Sequence, residues 1–225
     1  MVDFHPRQVN LQHVFWFGML AAITFFVGLY IADALSLSFQ DRQGVIVHAV
    51  GVTGSSIELV SIGVTVKQSE GGVGSLYASL SPTQSFSPDF QSSAVNAYFA
   101  AKKLLPEELK GKDVFIRASS SYSELGGNSG GAVLGVGIIA AVTGSTIKGD
   151  YYMSASIDSE GHTGPVAYVG EKAIFLDQLG AKALLVSDNE PALSARDPFL
   201  VPVSDLRDAA CLMLEGPALE RLECQ

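Results

Sequence analysis

The residues best suited to chemistry lie in the glycine-rich run GGNSGG (126–131), which places Ser129 directly before a long apolar stretch. Glycines permit unusual backbone angles and the close approach of another chain. The start of a helix offers unpaired N–H groups and the positive end of the dipole. A nucleophilic serine needs this setting, with an exposed Oγ and N–H groups from itself and its neighbours Asn128 and Gly130 to hold an oxyanion. The same pattern is also typical of a serine N-cap in a glycine-rich turn.

A nucleophilic serine needs a base, and His48 is the first candidate. The run GNSGG resembles the serine motif of chymotrypsin-like proteases, which require a histidine and an aspartate upstream. His48 lies in an apolar strand pattern rather than at a turn. It is also too close to Ser129 in the sequence for the usual two-barrel arrangement.

Lys172 is the second candidate base. A lysine can deprotonate a serine if burial lowers its pKa from about 10.4 toward neutrality. Lys172 begins a predicted helix between Gly170 and the apolar run AIFL (173–176), so its ammonium could be drawn into a cleft. A single lysine in a first helical turn is otherwise typical of a solvated side chain.

The order and spacing of these residues resemble the proteolytic domain of the Lon proteases, which uses a Ser-Lys dyad. Lys172 follows Ser129 by 43 residues, as in that family. Between them lie a predicted buried helix that ends at Thr143-Gly144 and a predicted strand that carries Met153-Ser154. The resemblance covers roughly residues 44–215.

The resemblance implies peptide-bond hydrolysis through an acyl-enzyme. Ser129 would be the nucleophile, Lys172 the general base and acid, and Ser154 the hydroxyl that orients the lysine. Backbone N–H groups around Asn128 and Gly130 would stabilise the oxyanion. The substrates would be polypeptides, the expected assembly is a homo-oligomer in the form of a hexameric ring, and no cofactor or metal is implied.

Several positions depart from the family pattern. The family's aspartate three residues before the serine is Gly126 here, and its proline directly before the serine is Asn128. The run AYVG (167–170) stands where the family has a doubled glycine. The chain also lacks the GxxxxGK[ST] phosphate loop of an ATPase. We therefore expect ATP-independent cleavage of unfolded polypeptides, or a separate unfoldase as partner.

A membrane anchor is predicted near the N-terminus, because residues 14–32 contain no charged side chain. As a helix this stretch spans about 28 Å, close to the hydrocarbon thickness of about 30 Å. The alternative is a signal peptide cleaved near the Ala-Asp-Ala sequence at 32–34. The expected division is a tail at 1–13, a single-pass anchor at 14–37 and a Lon-like domain at 38–225, with the domain outside the cytoplasm.

The remaining pattern mixes strands and helices without strict alternation, which predicts an α+β (mixed α/β) fold. A β-hairpin is predicted at 44–53 and 55–68, and a buried helix at 129–143. The other predicted elements are strands at 74–81, 112–121, 151–158 and 183–186, helices at 88–105 and 171–179, and a strand followed by a helix with Ser204 as N-cap at 199–214.

Composition excludes several other functions. The formal net charge is −9 without a basic block, which argues against a partner nucleic acid. The four histidines lack paired ligand spacing, and two cysteines, Cys211 and Cys224, are too few for a four-cysteine zinc site. Cys211 is predicted to lie in the core and Cys224 in the tail, and no disulfide is inferred. Two alternatives to a peptidase stay open: a non-catalytic Lon-like subunit for assembly or substrate capture, and a self-processing protease that cuts near Ala34 or within 81–87.

Overall fold

The structure is a computed structural model that describes residues 43–53, 56–79, 85–119, 124–191 and 199–224. These residues belong to one compact unit. The predicted tail at 1–13, the anchor at 14–37 and the alternative cleavage site at 32–34 lie outside the described residues. Within the described ranges, no helix is long and apolar enough to span a bilayer.

Short strands and helices alternate irregularly along the described chain, which confirms a mixed α/β fold. The strands are β1 Gln43–Thr53, β2 Ser56–Gln68, β3 Leu76–Ser79, β4 Ser85–Phe86, β5 Lys112–Ser119, β6 Glu124–Leu125, β7 Thr146–Ile147, β8 Tyr151–Met153, β9 Ser156–Ile157, β10 Thr163–Gly164, β11 Ala183–Ser187, β12 Leu200–Val203 and β13 Leu214–Glu215. The helices are α1 Pro88–Leu104, α2 Pro106–Leu109, α3 Gly131–Thr143, α4 Val169–Gln178, α5 Leu206–Met213 and α6 Pro217–Arg221.

The largest sheet has the strand order β1-β2-β5-β3. Strands β1 and β2 form the predicted antiparallel hairpin, in which Gln43 pairs with Val66 and Thr53 with Ser56. The short strand β3 runs parallel to β5. Among the described residues, strand β1 therefore lies at an edge of this sheet.

Helix α3 is the centre of the hydrophobic core, and every one of its residues is buried. It packs against β1, β2, α1 and α5. Its small residues allow this close packing: a Cβ on Gly137 would lie 2.7 Å from Cγ1 of Val47 and 3.2 Å from Cγ2 of Val64. Helix α1 covers it with the predicted face, on which Phe90, Ala94 and Ala101 are buried.

A second, parallel sheet has the order β12-β11-β8. Strand β11 is fully buried. Helix α4 contributes Val169, Ala173 and Leu176 to a separate apolar cluster with this strand. Val50 from β1 belongs to the same cluster, so the hairpin and the second sheet are joined through apolar contacts.

Two predicted elements differ from the structure. The strand predicted at 151–158 is wrong, because it divides into β8 and β9: Ala155 leaves the sheet and its N–H donates to the carbonyl oxygen of Ser129 at 3.2 Å. The predicted N-cap of α5, Ser204, is also wrong. Asp205 is the cap, and its Oδ1 accepts from the N–H of Asp208 at 2.9 Å, while Ser204 Oγ donates to the Asp208 carboxylate.

Cys211 and Cys224 form a disulfide, which the sequence alone did not indicate. Their Cα atoms are 5.6 Å apart, within the usual range for a bridge. Helix α6 makes the pairing possible, because its Ala218 is buried and the N–H of that residue donates to Ser145 Oγ at 2.8 Å. The bridge thereby fixes the C-terminal segment against α5.

The disulfide closes a short loop, and its loss should destabilise the domain. With the two cysteines 13 positions apart, the variant Cys224→Ser is expected to lower the free energy of unfolding by about 3 kcal/mol, because the unfolded chain regains loop entropy. Chemical denaturation of the oxidised wild type and of the variant measures the difference. Reduced wild type should match the variant, and equal midpoints for all three samples would contradict the expectation.

The close packing of α3 on the hairpin gives a second stability prediction. The variant Gly137→Ala should lose about 1–3 kcal/mol, since the added methyl group forces the stiff Val47 side chain to move. Gly170→Ala is the matched control, because a Cβ there meets nothing within 4 Å. Thermal unfolding should show a lower midpoint for Gly137→Ala alone, and a midpoint at or above that of the wild type would show that the packing is looser than described.

Candidate active site

Ser129 and Lys172 both line one cleft of about 230 Å³. Four parts of the chain form it: the end of β1 with its neighbour β2, Phe90 of α1, the stretch 125–130 before α3, and the start of α4 with the two residues before it. The lining residues are Ala49, Val50, Gly51, Val52, Val60, Ile62, Phe90, Leu125, Gly126, Gly127, Asn128, Ser129, Gly130, Ala167, Tyr168 and Lys172. The cleft is therefore mostly apolar, with a serine and a lysine as its chemically active groups.

The glycine-rich loop is held in place by the backbone. Gly127 has a φ of 84°, a conformation that glycine adopts without strain. The carbonyl of Ser129 accepts from the N–H of Ala155, and the Ala155 carbonyl accepts from the N–H of Ala132, both at 3.2 Å. Among the described residues, no acceptor takes the N–H groups of Ser129 and Gly130. These two donors at the start of α3 are available to a developing oxyanion.

Lys172 is withdrawn from solvent, with 3% of its surface exposed. It lies in the first turn of α4, whose beginning is set by a hydrogen bond from the N–H of Lys172 to the carbonyl of Tyr168 at 3.0 Å. Its Nζ donates to Oγ of Ser154 at 2.9 Å. Ser154 is buried where the chain leaves β8, and its own N–H donates to the carbonyl of Leu185. Two sheet strands thus fix the hydroxyl that holds the lysine.

Burial lowers the pKa of Lys172 from its ordinary value of 10.5 to about 8. The negative charges of Glu190 and Glu171 act in the opposite direction and favour the ammonium form. Removal from water is the larger effect, because it disfavours the charged form. A neutral amine, the form that can accept a proton, is therefore populated in the weakly alkaline range.

The residues predicted from the sequence come together in one place. The cleft is lined by Asn128, Ser129, Gly130 and Lys172. Ser154 is not part of the lining, but its Oγ accepts the hydrogen bond from Lys172 Nζ. Within the described part of the chain, Lys172 Nζ bonds to Ser154, and no hydrogen bond joins it to Ser129 Oγ. The catalytic roles of these residues remain predictions.

His48, the alternative base, lies elsewhere. Its side chain is exposed on β1, where Nδ1 is 3.3 Å from Oγ of Ser61, and it does not line the cleft. A chymotrypsin-like triad is therefore not supported. Nor does the part of the chain described here bring three His, Cys, Asp or Glu side chains together as metal ligands.

Two residues of the site carried no clear signal in the sequence. Glu190 is a buried carboxylate whose Oε2 accepts from the N–H of Val166 at 3.0 Å. Tyr168 lies at the rim of the cleft with a left-handed backbone, at φ 63° and ψ 29°. An acid in the polar run SDNE (187–190) is typical of a solvated turn, and a tyrosine gives no indication of positive φ. Both residues emerge only from the tertiary structure.

The buried ammonium predicts a measurable effect on stability. The folded state binds the Lys172 proton less tightly than the unfolded state, so wild-type stability should rise as the pH increases from about 8 to 10.5. Replacing Lys172 by Met should raise the free energy of unfolding at pH 7 by roughly 3 kcal/mol and remove this rise.

Denaturant unfolding at pH 7 and pH 10 measures both effects. Lys182→Met is the control, since Lys182 is exposed and paired with Asp150 at 2.6 Å. A gain in stability for that variant as large as for Lys172→Met, or no gain for either, would contradict the burial of the Lys172 ammonium.

Comparison with known proteins gives two partial matches, while no family model matches the chain. The chain is 25% identical over 130 residues to an archaeal Lon protease from Methanocaldococcus jannaschii, which covers 55% of this chain and 20% of that protein. It is 27% identical over 140 residues to Lon protease 1 from Sorangium cellulosum, which covers 58% of this chain and 17% of that protein.

The chain matches a fifth or less of the length of these two relatives. At this level of identity the matches support the coarse form of the resemblance seen in the sequence. Together with the mixed α/β fold, they indicate a distant relationship between this chain and the Lon proteases.

Proposed function

We propose that this protein is a serine endopeptidase of the Lon type that cleaves unfolded polypeptides without ATP, through a dyad of Ser129 and Lys172. One observation carries the proposal: a buried lysine amine, held by Ser154 Oγ at 2.9 Å, lies in the same cleft as a serine at the start of a buried helix. The two distant relatives named as Lon proteases support the same reaction class.

The first half of the reaction forms an acyl-enzyme. Ser129 Oγ attacks the carbonyl carbon of the peptide bond while neutral Lys172 takes the hydroxyl proton. The oxyanion is stabilised by the N–H groups of Ser129 and Gly130. The lysine then returns its proton to the departing amine, and the C–N bond breaks.

The second half restores the enzyme. Lys172 takes a proton from a water molecule, the resulting hydroxide attacks the ester carbonyl, and the proton goes back to Ser129 Oγ as the acid leaves. Catalytic hydrogen bonds are often long before substrate binds. The bond between Lys172 and Ser129 is therefore expected to form once a polypeptide fills the cleft and excludes water.

Extended polypeptide suits the cleft better than a folded substrate. Residues 49–52 of the edge strand β1 line it, so a substrate can add as a further strand with its backbone paired to the sheet. Backbone pairing needs an unfolded segment and little sequence specificity. A separate unfoldase would extend the range of substrates to folded proteins.

The cellular setting is part of the proposal. The uncharged stretch at 14–32 supports a single-pass membrane anchor, and the peptidase domain is proposed to lie outside the cytoplasm. The disulfide between Cys211 and Cys224 supports an oxidising compartment, since such bonds persist there. A ring-shaped homo-oligomer follows from the resemblance to Lon proteases alone.

Activity of variants tests the proposal. Ser129→Ala and Lys172→Met should each lower casein cleavage by at least 1000-fold. Ser154→Ala should lower it by about 10–100-fold, because the lysine loses its partner. The wild-type rate should rise with pH around 8, the pKa of Lys172.

The matched controls are Ser61→Ala and Lys182→Ala, both exposed and outside the cleft, which should keep the wild-type rate. Mass spectrometry of the purified chain in the same samples distinguishes cleavage of added casein from self-processing. Unchanged cleavage in Ser129→Ala or in Lys172→Met would disprove the dyad.

A further inference from the structure

The segment 163–169, which leads into the lysine helix, is held by a network of buried polar side chains. Thr163, Ser187 and Glu190 are all buried. Thr163 Oγ1 donates to the carbonyl of Val203 at 2.7 Å, and Ser187 Oγ donates to the carbonyl of Thr163 at 3.2 Å. These bonds join the first residue of β10 to the carboxyl ends of β11 and β12.

Glu190 extends this network to the wall of the cleft. It follows β11 in a tight turn, in which its N–H donates to the carbonyl of Ser187 at 3.0 Å. Its Oε2 accepts from the N–H of Val166 at 3.0 Å, and only 7% of the residue is exposed. A charged carboxylate is rarely buried to this extent unless a specific interaction requires it.

The backbone that Glu190 holds is strained. Two residues after Val166, Tyr168 has a left-handed backbone, a conformation disfavoured for a residue with a bulky side chain. Such strain persists only where the surroundings fix the chain on both sides. On one side Val166 is tied to Glu190, and on the other the side chain of Val169 is buried in the apolar cluster.

We propose that Glu190 is a positioning residue, whose buried carboxylate fixes the 166–168 segment and thereby sets both the cleft wall and the start of the helix that carries Lys172. The inference rests on the proposed peptidase function for its kinetic part only. Two bonds connect the residues: Glu190 accepts from Val166, and the carbonyl of Tyr168 accepts from the N–H of Lys172.

The charge of Glu190 adds a second, separable effect. The charged groups that act on Lys172 are Glu190, from the turn after β11, and Glu171, its neighbour on α4, and both favour the ammonium form. Ser154, the hydrogen-bond partner from the end of β8, carries no charge. Removing the Glu190 charge while keeping its shape should therefore lower the pKa of Lys172.

Two variants separate the bond from the charge. Glu190→Gln keeps an oxygen acceptor for Val166 and removes the charge, whereas Glu190→Ala removes both. Glu171→Gln is the matched control, because it removes a charge from an exposed position of α4, the helix that carries Lys172. The readouts are hydrogen exchange of the Val166 amide, NMR titration of the Lys172 side chain, and kcat/KM for casein cleavage against pH.

In Glu190→Gln the Val166 amide should stay protected, while the Lys172 titration and the rise of kcat/KM both move to lower pH. In Glu190→Ala the amide should lose protection, and the plateau of kcat/KM should fall about tenfold or more as the lysine is misplaced. Glu171→Gln should leave the amide protection and the plateau unchanged.

Wild-type protection of Val166 in Glu190→Ala would overturn the positioning role, and a wild-type titration of Lys172 in Glu190→Gln would overturn the effect of the charge. If Glu190→Ala does not fold, Glu190→Asp replaces it, because its shorter side chain withdraws the acceptor from Val166 and should likewise reduce the protection of that amide. The exchange and titration readouts need no activity, so an inactive wild type would refute the proposed function and leave this inference to be judged on those two measurements.

Discussion

The withdrawal of the Lys172 ammonium from water is the constraint on which the rest of the site depends. A solvated lysine is protonated at neutral pH and cannot accept a proton from serine. Burial to 3% exposure brings its pKa to about 8, and the hydroxyl of Ser154 gives the amine a partner without adding charge. Strands β8 and β11 fix that hydroxyl, because Ser154 follows β8 and its N–H donates to the carbonyl of Leu185 in β11.

The fold meets this constraint by bringing two units together: the hairpin with α3, and the second sheet with α4. Helix α3 carries Gly137 where it faces the hairpin, so Val47 and Val64 approach its backbone closely. The second sheet supplies Ser154 and carries α4 through a separate apolar cluster. The chain between β8 and β9 joins the two units, because it presents Ser154 to the lysine and the backbone of Ala155 to Ser129.

Local patterns in the sequence were sufficient to predict the elements with strong periodicity. The hairpin, α1 and the all-apolar helix α3 follow from the spacing of their apolar residues. The resemblance to the Lon proteases implied that Ser129 and Lys172 would share a cleft. The break between β8 and β9 was missed because its cause is a hydrogen bond to a loop more than twenty residues away in sequence. Ser204 and Asp205 are both good N-cap residues, so the sequence does not distinguish them. The backbone in the folded chain decides, because it places the Asp205 carboxylate on the N–H of Asp208. Glu190 and the disulfide depend on long-range contacts that no short stretch of sequence reports.

Capture of a substrate-like inhibitor tests the central claim most directly. A crystal structure of the protein with a peptidyl boronate should show boron bonded to Oγ of Ser129 and one boronate oxygen facing the N–H groups of Ser129 and Gly130. Lys172 Nζ should lie within about 2.6–3.2 Å of that Oγ. A boronate bound elsewhere, or a lysine that stays beyond hydrogen-bond reach of Ser129 in the adduct, would contradict the Ser-Lys dyad.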